Sequence, residues 1–175
     1  MKHKSLLFLV LLVFFTSCKE DFSVWKKWNE TWLEQTNKPY IESLQNATVK
    51  DGYERAGITE TGIQYIVFHN GFGITAKRSS VIKVSYTNYL IDGTKVGSVT
   101  DAVMKVEELV PGWQEMICDR GLKQGANFKM YIPWNLAYGK DGNKVASVSR
   151  YFIPPYSTLI SEVIINEITN YPPNN

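Results

Sequence analysis

The sequence has few residues of the kinds that bind metals or form disulfides. It contains two cysteines and two histidines in 175 residues, with neither an HExxH motif nor paired CxxC motifs. His3 belongs to a leader described below, which leaves His69 alone, so we expect no metal site and no cofactor. A nucleophilic pair of Cys118 and His69 is formally open, but structural or surface roles are the simpler expectation for both.

The sequence also lacks an excess of charge of one sign. It has 19 basic and 17 acidic residues, a net charge of +2, and no basic block. A protein surface that binds nucleic acid needs clustered lysine and arginine side chains. We therefore expect no nucleic-acid partner.

Long apolar runs are absent except near the start, where "SLLFLVLLVFF" covers residues 5–15. This run is too short to span a bilayer comfortably. It follows a positive leader and precedes two small polar residues and Cys18, which is the layout of a secretion signal. It resembles the signals of bacterial lipoproteins, whose cysteine is diacylated and becomes the N-terminus. We predict that residues 1–17 are a signal peptide and that Cys18 anchors the protein to a membrane.

The three residues after Cys18 give the only indication of where the anchor would lie. The run "CKED" begins at Cys18 and is similar to tags that send some lipoproteins to the outer face of the outer membrane. We therefore expect a location in the cell envelope, anchored to the outer membrane and either periplasmic or surface-exposed. The alternative is an ordinary signal peptide or anchor helix with an incidental cysteine.

Residues 18–56 form a leading extension with an aromatic pattern. Trp25, Trp28 and Trp32 recur at helical spacing among charged residues, which predicts an amphipathic helix. The helix is predicted to end before Pro39, with another helical turn through "YIESLQNA". The tryptophans need a partner surface. Three surfaces are open: the protein's own domain, a second copy or a client, and a membrane interface. A second copy would make this helix a homodimer contact.

Residues 57–169 have the period-2 alternation of β-strands, and residues 170–175 are a tail. The segments "GIQYIVF", "SVIKVSYTNYLI", "AVMKV", "NFKMYIP" and "TLISEVIINEI" read as strands, and "PGWQEMICDRG" reads as a short helix. Asp92-Gly93 predicts a two-residue hairpin turn. The order of elements predicts the α+β class, with an antiparallel sheet wrapped over one short helix.

Five segments occur in a recognisable order: "GIQYIVFHNGFG", "VSYTNYLIDGT", "LVPGWQEMI", "YIPWNLAYGKDG" and "IPPYSTLISEVIINEI". Over roughly residues 57–168 they resemble the FKBP-type peptidyl-prolyl cis-trans isomerases. The resemblance implies an FKBP-like twisted sheet and an isomerase that acts on proline-containing segments of exported polypeptides without a cofactor. The leading helix is similar to the N-terminal extensions of bacterial lipoprotein and periplasmic members, some of which dimerise through them.

The resemblance also implies a pocket made of apolar and hydroxyl-bearing side chains. The matching positions are Trp113 at the floor, Leu109 and Val110 just before it, Tyr138 as a hydroxyl donor near the rim, Tyr86 on the long strand, and Phe152 and Ile153 in the apolar wall. The backbone N–H of Val110 would meet a substrate carbonyl. Core packing is the alternative role for each of these side chains.

Three positions depart from the family pattern. Val96 and Gly97 stand where the family places a Phe-Asp pair, and Ser161 stands at an aromatic position. By their place in the family pattern, Val96 and Ser161 are still expected to contact substrate, together with Tyr86, Leu109, Phe152 and Ile153. Ser161 interrupts an inward-facing apolar row, so either it is hydrogen-bonded within the pocket or the pocket is partly wet. The motifs and the retained pocket residues still favour an isomerase, expected to be weak because of these departures. The departures themselves favour the alternative, a non-catalytic FKBP-like binding, chaperone or interaction module.

The loop at residues 140–152 is longer than the family's usual connection and lies beside the expected pocket mouth. Its apolar residues Val145, Val148, Tyr151 and Phe152 could refill the space that the missing aromatics leave. The alternative is a plain surface insertion.

Overall fold

The computed structural model describes residues 21–45, 52–145 and 150–170. The predicted signal peptide, Cys18, the residues of the tail after Asn170 and the central part of the 140–152 loop lie outside the described residues. None of the helices in the described part of the chain is long and apolar enough to cross a membrane.

The chain begins with helices and continues mainly as strands. The helices are α1 (Ser23–Trp32), a π turn (Leu33–Asn37), α2 (Lys38–Gln45) and α3 (Pro111–Asp119), with 3-10 turns at Val106–Glu108 and Trp134–Leu136. The strands are β1 (Arg55–Ile58), β2 (Gln64–His69), β3 (Phe72–Thr75), β4 (Val81–Tyr89), β5 (Lys95–Lys105), β6 (Lys123–Gln124), β7 (Asn127–Ile132), β8 (Asn143–Val145), β9 (Arg150–Ile153) and β10 (Leu159–Thr169).

Six strands form the main sheet in the order β1-β2-β7-β10-β4-β5, and all neighbours are antiparallel. The predicted alternation is clear on β7, where Phe128, Met130 and Ile132 are fully buried. Successive side chains of a strand point to opposite faces, so these three share one face and Tyr131 lies on the other. The predicted α+β class, an antiparallel sheet over a short helix, is confirmed.

Helix α3 covers the face of the sheet that holds the main core. Pro111 occupies the start of the helix, where its missing N–H leaves no hydrogen bond unmade. Trp113, Met116 and Ile117 are buried against the sheet. Gly121, with a φ of +66°, follows the end of the helix in the left-handed conformation that glycine adopts without strain.

The helical extension covers the opposite face. Leu33 and Ile41 are buried in a second apolar cluster with Ile66, Tyr131 and other side chains of the sheet. Burying this second face removes further apolar surface from water, worth about 25 cal/mol per Å². The extension is therefore packed on the protein's own domain, the first of the three surfaces that the sequence left open.

The tryptophans of α1 do not all face that domain. Trp25 Nε1 donates to Ser157 Oγ at 2.9 Å, and the ring of Trp32 lies 6.0 Å from that of Tyr131. Trp28 is 48% exposed, and its place on the buried stripe is taken by Asn29, which is fully buried. Asn29 Oδ1 accepts a hydrogen bond from the backbone N–H of Thr158 at 2.7 Å. Only part of the aromatic face therefore contacts the sheet.

The prediction that this helix ends before Pro39 is wrong. The chain stays helical through Pro39 because the π turn precedes it, with the Lys38 N–H bonded to the carbonyl of Leu33 five residues earlier. In an uninterrupted α-helix, Pro39 would lack a bond to the carbonyl of Gln35 and its ring would collide with that carbonyl. The change of hydrogen-bond spacing removes this conflict.

The predicted two-residue turn is also wrong. The backbone N–H of Leu90 donates to Thr94 O, and that of Gly93 donates to Leu90 O, so the loop between the paired residues holds three residues. Gly93 has a φ of +84°, whereas Asp92 is not among the residues with positive φ. A three-residue loop needs a left-handed residue only at its end, which Gly93 supplies.

The hairpin's second arm and the predicted strand "AVMKV" are parts of one strand, β5. The register on β4 shifts between the pairs Val84–Ala102 and Tyr86–Val99, so β5 carries one extra residue here. Asp101 accommodates it with a φ of +54°, and its N–H donates to Ser85 Oγ at 3.1 Å. The strand continues beyond this bulge to Lys105, after which the 3-10 turn that precedes α3 begins.

Candidate functional site

A cavity of about 190 Å³ opens between α3 and the sheet. Its lining side chains come from α3, from β4, β5 and β10, and from the segments before and after α3. They are Tyr86, Asn88, Met104, Glu108, Leu109, Val110, Trp113, Tyr138 and Leu159. The structure thus brings together five of the residues that the sequence analysis assigned to the pocket: Tyr86, Leu109, Val110, Trp113 and Tyr138.

Trp113 forms the base of the cavity. Its side chain is 4% exposed, and the ring of Tyr86 stands nearly perpendicular to it at 83°, with ring centroids 5.4 Å apart. Edge-to-face pairs of this kind are favourable because the positive edge of one ring meets the negative face of the other. The cavity therefore has a rigid aromatic base and an aromatic side wall.

Two hydrogen-bond donors border this base. Val110 is the residue before α3, with φ −59° and ψ 149°, and no described residue accepts a hydrogen bond from its backbone N–H. Tyr138 follows the second 3-10 turn, and burial, with a smaller effect of Tyr86, raises the pKa of its phenol. A raised pKa keeps the hydroxyl protonated and able to donate. The cavity can therefore orient a ligand that carries carbonyl groups.

Ser161 lies beneath the base, in a chain of side-chain hydrogen bonds. Trp113 Nε1 donates to Ser161 Oγ at 3.3 Å, and Ser161 Oγ donates to Asn88 Oδ1 at 2.7 Å. Ser161 is fully buried. Of the two alternatives that the sequence left open, the hydrogen-bonded serine is the one observed.

Gly97 faces Asn88 from the neighbouring strand. The two residues are directly paired between β4 and β5, and Ser161 pairs with Asn88 from β10 on the other side. A Cβ added at Gly97 would lie 3.9 Å from Asn88 Nδ2 and 3.9 Å from the Tyr86 ring, which is ordinary contact. At the position where the family has a carboxylate, this chain therefore brings no side chain to the Asn88 amide, although a Cβ would fit there.

Val96 is the extra residue of a second bulge, since the register shifts between the pairs Asn88–Gly97 and Tyr89–Lys95. Its side chain is 3% exposed and belongs to the main core. Val96 and Ser161 are therefore buried next to residues of the cavity and do not themselves line it.

Phe152 and Ile153, predicted as the apolar wall, are also absent from the residues that line this cavity. Consecutive residues of β9 point to opposite sides, so Ile153 is buried in the core at 2% exposure while Phe152 is 46% exposed. Strands β8 and β9, near the two ends of the 140–152 loop, pair antiparallel. Val148, which was predicted to fill space in the pocket, lies outside the described residues.

Sequence reasoning missed Asn88, and it did not assign Glu108 or Leu159 to the cavity. The signal for Asn88 was its spacing: it is two residues after Tyr86 on one strand, so both side chains share a face. Its pairing with Ser161 and Gly97 could not be read from one strand alone. Among residues 21–45, 52–145 and 150–170, no group of three His, Cys, Asp or Glu side chains could hold a metal ion.

Comparison with known proteins points to one family. The model of the FKBP-type peptidyl-prolyl cis-trans isomerases matches residues 73–166, more than half of the chain. The chain is 35% identical over 132 residues to the FKBP-type 22 kDa peptidyl-prolyl cis-trans isomerase of Escherichia coli, covering 73% of this chain and 59% of that protein. It is 31% identical over 86 residues to the outer membrane protein MIP of Legionella longbeachae, covering 47% of this chain and 36% of that protein.

A solved structure agrees. The crystal structure of FkpA from Escherichia coli has a TM-score of 0.63 and 27% sequence identity, covering 85% of this chain and 65% of that chain. This chain spans less than two thirds of the length of each of these relatives. The matched segment holds α3, the strands β4 and β5, most of β10, and the cavity that these elements surround. The chain belongs to the FKBP-type peptidyl-prolyl cis-trans isomerase family.

Proposed function

We propose that this protein catalyses cis-trans isomerisation of Xaa–Pro bonds in extended polypeptide segments. The observation that carries the proposal is the open cavity over Trp113, with the Val110 N–H and the Tyr138 hydroxyl at its border. The indole would support the proline ring, and the two donors would hold carbonyl groups of the segment other than the carbonyl of the rotating amide. Family membership supports the same reaction.

The reaction needs no nucleophile and no proton transfer. The barrier to rotation about the amide bond is about 18–20 kcal/mol because resonance keeps the amide planar. Twisting the bond removes the resonance and lowers the polarity of the carbonyl. An apolar pocket that excludes water therefore binds the twisted amide better than the planar one, which is the condition for catalysis.

We propose that the activity is weak. A buried aromatic side chain contributes about 1.5–3 kcal/mol of transfer free energy, and the positions of Val96 and Ser161 no longer supply aromatic contacts. The cavity, at about 190 Å³, is smaller than the several hundred Å³ of most ligand sites. A substrate held with fewer contacts loses part of the binding free energy that favours its twisted state.

A non-catalytic binding module is the second candidate, and the polar row of Ser161 and Asn88 favours it. Hydrogen-bonding groups in the pocket stabilise the polar, planar amide of a bound segment. A protein of this kind would hold exported polypeptides without accelerating rotation.

Exchange spectroscopy by NMR on short Xaa–Pro peptides separates the two candidates. The isomerase proposal expects wild-type exchange above the uncatalysed rate, with a large loss in Trp113→Ala and a smaller loss in Tyr138→Phe. Trp32→Ala, on the other face of the sheet, is the matched control and should retain the rate. Binding without acceleration supports the second candidate, and wild-type exchange equal to background contradicts the first.

We further propose a location in the cell envelope, with acylated Cys18 as the anchor to the outer membrane. The apolar leader before Cys18 and the relative named as an outer membrane protein support this. Metabolic labelling with a radioactive fatty acid should mark the wild-type protein and not Cys18→Ala. An unlabelled wild-type protein that fractionates with soluble proteins would contradict the proposal.

A homodimer through the helical extension is a separate proposal. Trp25 and Trp32 contact the protein's own domain, which leaves Trp28, 48% exposed, as the tryptophan available to a second copy. Sedimentation of the wild type and of Trp28→Ser tests it. A monomeric wild type at high concentration would contradict the proposal.

A further inference from the structure

We propose that Asn88 contacts substrate, donating a hydrogen bond from Nδ2 to the carbonyl of the Xaa–Pro amide. This contact strengthens binding of the planar amide and slows its rotation. The inference rests on the proposed function and assigns a role within the same cavity to a residue that the sequence did not single out. It predicts that removing the donor raises turnover.

The hydrogen-bond chain fixes the orientation of the amide. An indole N–H can only donate, so Ser161 Oγ accepts from Trp113 Nε1 and directs its own proton to an acceptor. The acceptor is Asn88 Oδ1, at 2.7 Å. Exchanging the oxygen and nitrogen of Asn88 would leave the Ser161 proton without an acceptor. Nδ2 therefore points away from Ser161.

Nδ2 has no partner within the described part of the chain. Asn88 is 9% exposed and lines the cavity, so its accessible surface faces the ligand space. Gly97, the cross-strand neighbour, brings no side chain to the amide. Nδ2 is not among the described side-chain nitrogens and oxygens that are fully buried without a hydrogen bond, so it can be reached from the cavity. A bound segment that brings a carbonyl oxygen satisfies this donor.

The chemistry of the amide sets the direction of the effect. The planar Xaa–Pro amide has a polar carbonyl, because resonance places negative charge on the oxygen, and the twisted amide loses much of that charge. A donor to this oxygen therefore stabilises the ground state more than the transition state, which tightens binding and lowers kcat. A donor to the prolyl nitrogen would do the opposite, since that nitrogen gains a lone pair on twisting.

Two variants remove the donor by different routes. Asn88→Leu replaces the amide with an apolar side chain of similar size. Gly97→Asp keeps Asn88 and places a carboxylate where it can accept from Nδ2, because directly paired residues have Cβ atoms about 4.5–5.5 Å apart. Gly97→Ala is the matched control, since it adds a Cβ without an acceptor, and the space accommodates it. Thr87→Val is a control for the effect of any substitution on β4. The hydrogen bond that it removes, between Thr87 Oγ1 and Ser98 Oγ at 3.0 Å, does not involve a residue of the cavity.

The measurements are kcat from NMR exchange at saturating Xaa–Pro peptide and Kd from titration. We expect Asn88→Leu and Gly97→Asp to weaken binding and to raise kcat, each by about twofold to tenfold, the range of one hydrogen bond. Gly97→Ala and Thr87→Val should leave both values near wild type. A loss of folding alone cannot raise kcat. Because Gly97→Asp also restores the carboxylate that the family has at this position, its rise in kcat is assigned to the Asn88 donor only if the double variant Asn88→Leu/Gly97→Asp shows no further rise over Asn88→Leu. If Asn88→Leu does not fold, Asn88→Asp takes its place, because it keeps an oxygen that accepts from Ser161 Oγ and has no donor.

Each outcome is decisive. A lower kcat in Asn88→Leu, or unchanged kcat and Kd in both donor-removing variants, overturns the role of Asn88 while wild-type turnover still supports the isomerase. A wild type that binds without turnover, with turnover appearing in Asn88→Leu, supports the inference and the holding role together. A wild type that neither binds nor accelerates rotation overturns this inference and the proposed function alike.

Discussion

The sheet carries a buried side-chain amide on each of its faces, and the two amides differ in how many of their hydrogen bonds are made. On the face covered by the extension, Gln64 Oε1 accepts from Asn37 Nδ2 at 2.8 Å, and Gln64 Nε2 donates to Leu33 O at 3.0 Å. On the cavity face, Asn88 accepts from Ser161 and keeps its donor free toward the ligand space. An amide whose oxygen and nitrogen are both hydrogen-bonded within the protein stabilises the fold. An amide whose nitrogen has no protein partner can donate a hydrogen bond to a ligand.

Removing the aromatic base of the cavity should have the largest effect. Trp113→Ala should lower kcat/KM on Xaa–Pro peptides about tenfold to hundredfold, because the contact with the proline ring is lost. It should also lower the free energy of unfolding by about 3–5 kcal/mol through the cavity it leaves. Exchange spectroscopy and urea unfolding measure the two effects. Equal loss of turnover in Trp32→Ala would show that general destabilisation is responsible.

Removing the fully bonded amide should affect stability and leave turnover unchanged. Gln64→Leu strands the buried Asn37 amide, so the free energy of unfolding should fall by about 1–3 kcal/mol. The double variant Asn37→Leu/Gln64→Leu should recover part of this loss, because neither polar group is then left without a partner. Urea unfolding of the three proteins measures this. A changed kcat in Gln64→Leu would contradict the assignment of Gln64 to stability alone.

The hydroxyl at the cavity border should have a moderate effect on rate. Tyr138→Phe removes one donor, and we expect kcat/KM to fall about threefold to tenfold. Burial raises the pKa of Tyr138 above the ordinary value for a phenol, which is about 10. The hydroxyl therefore stays protonated up to that pH, and the wild-type rate should not decrease at pH values below it. Exchange spectra from pH 7 to 10.5 measure the profile. A fall centred below pH 10 that persists in Tyr138→Phe would assign the dependence to another group.

The smallest effect concerns Tyr131, on the face covered by the extension. Burial, with smaller effects of Tyr40 and Glu162, raises the pKa of Tyr131 to about 12. The unfolded chain releases this proton near pH 10, before the folded chain does, so the stabilisation is complete below pH 10 and is lost as the pH rises toward 12. Denaturant unfolding at pH 9, 10 and 11 should show a smaller decrease in Tyr131→Phe than in wild type. Parallel curves would contradict this assignment.

The sequence predicted the parts of the fold that depend on contiguous residues. The strands, helix α3 and the position of Trp113 beside Val110 follow from alternation and from a Pro–Gly–Trp start to a helix. Asn88 could not be assigned in this way, because its role depends on the register of β4 with both β5 and β10. Register is set by bulges and by pairing between distant segments, which one sequence does not reveal.

Helix continuity beyond Pro39 was missed for a similar reason. Local rules correctly exclude proline from the interior of an α-helix. They do not account for the π turn before it, whose Leu33 carbonyl accepts a hydrogen bond from Gln64 on a strand 31 residues away. Contact with the sheet therefore stabilises a backbone conformation that the helix alone does not favour.

This π turn also explains an unusual spacing along the extension. The buried residues Asn29, Leu33, Asn37 and Ile41 are each four apart, and in a plain α-helix every such step would overshoot a full rotation by about 40°. The π turn holds one residue more than an α-helical turn, and this residue compensates for most of the accumulated rotation. A chain shortened by deletion of Thr36 should therefore dock its remaining apolar stripe in the same orientation, provided that Pro39 is also replaced by alanine. The wider turn thus keeps both halves of the extension aligned with the same face of the sheet.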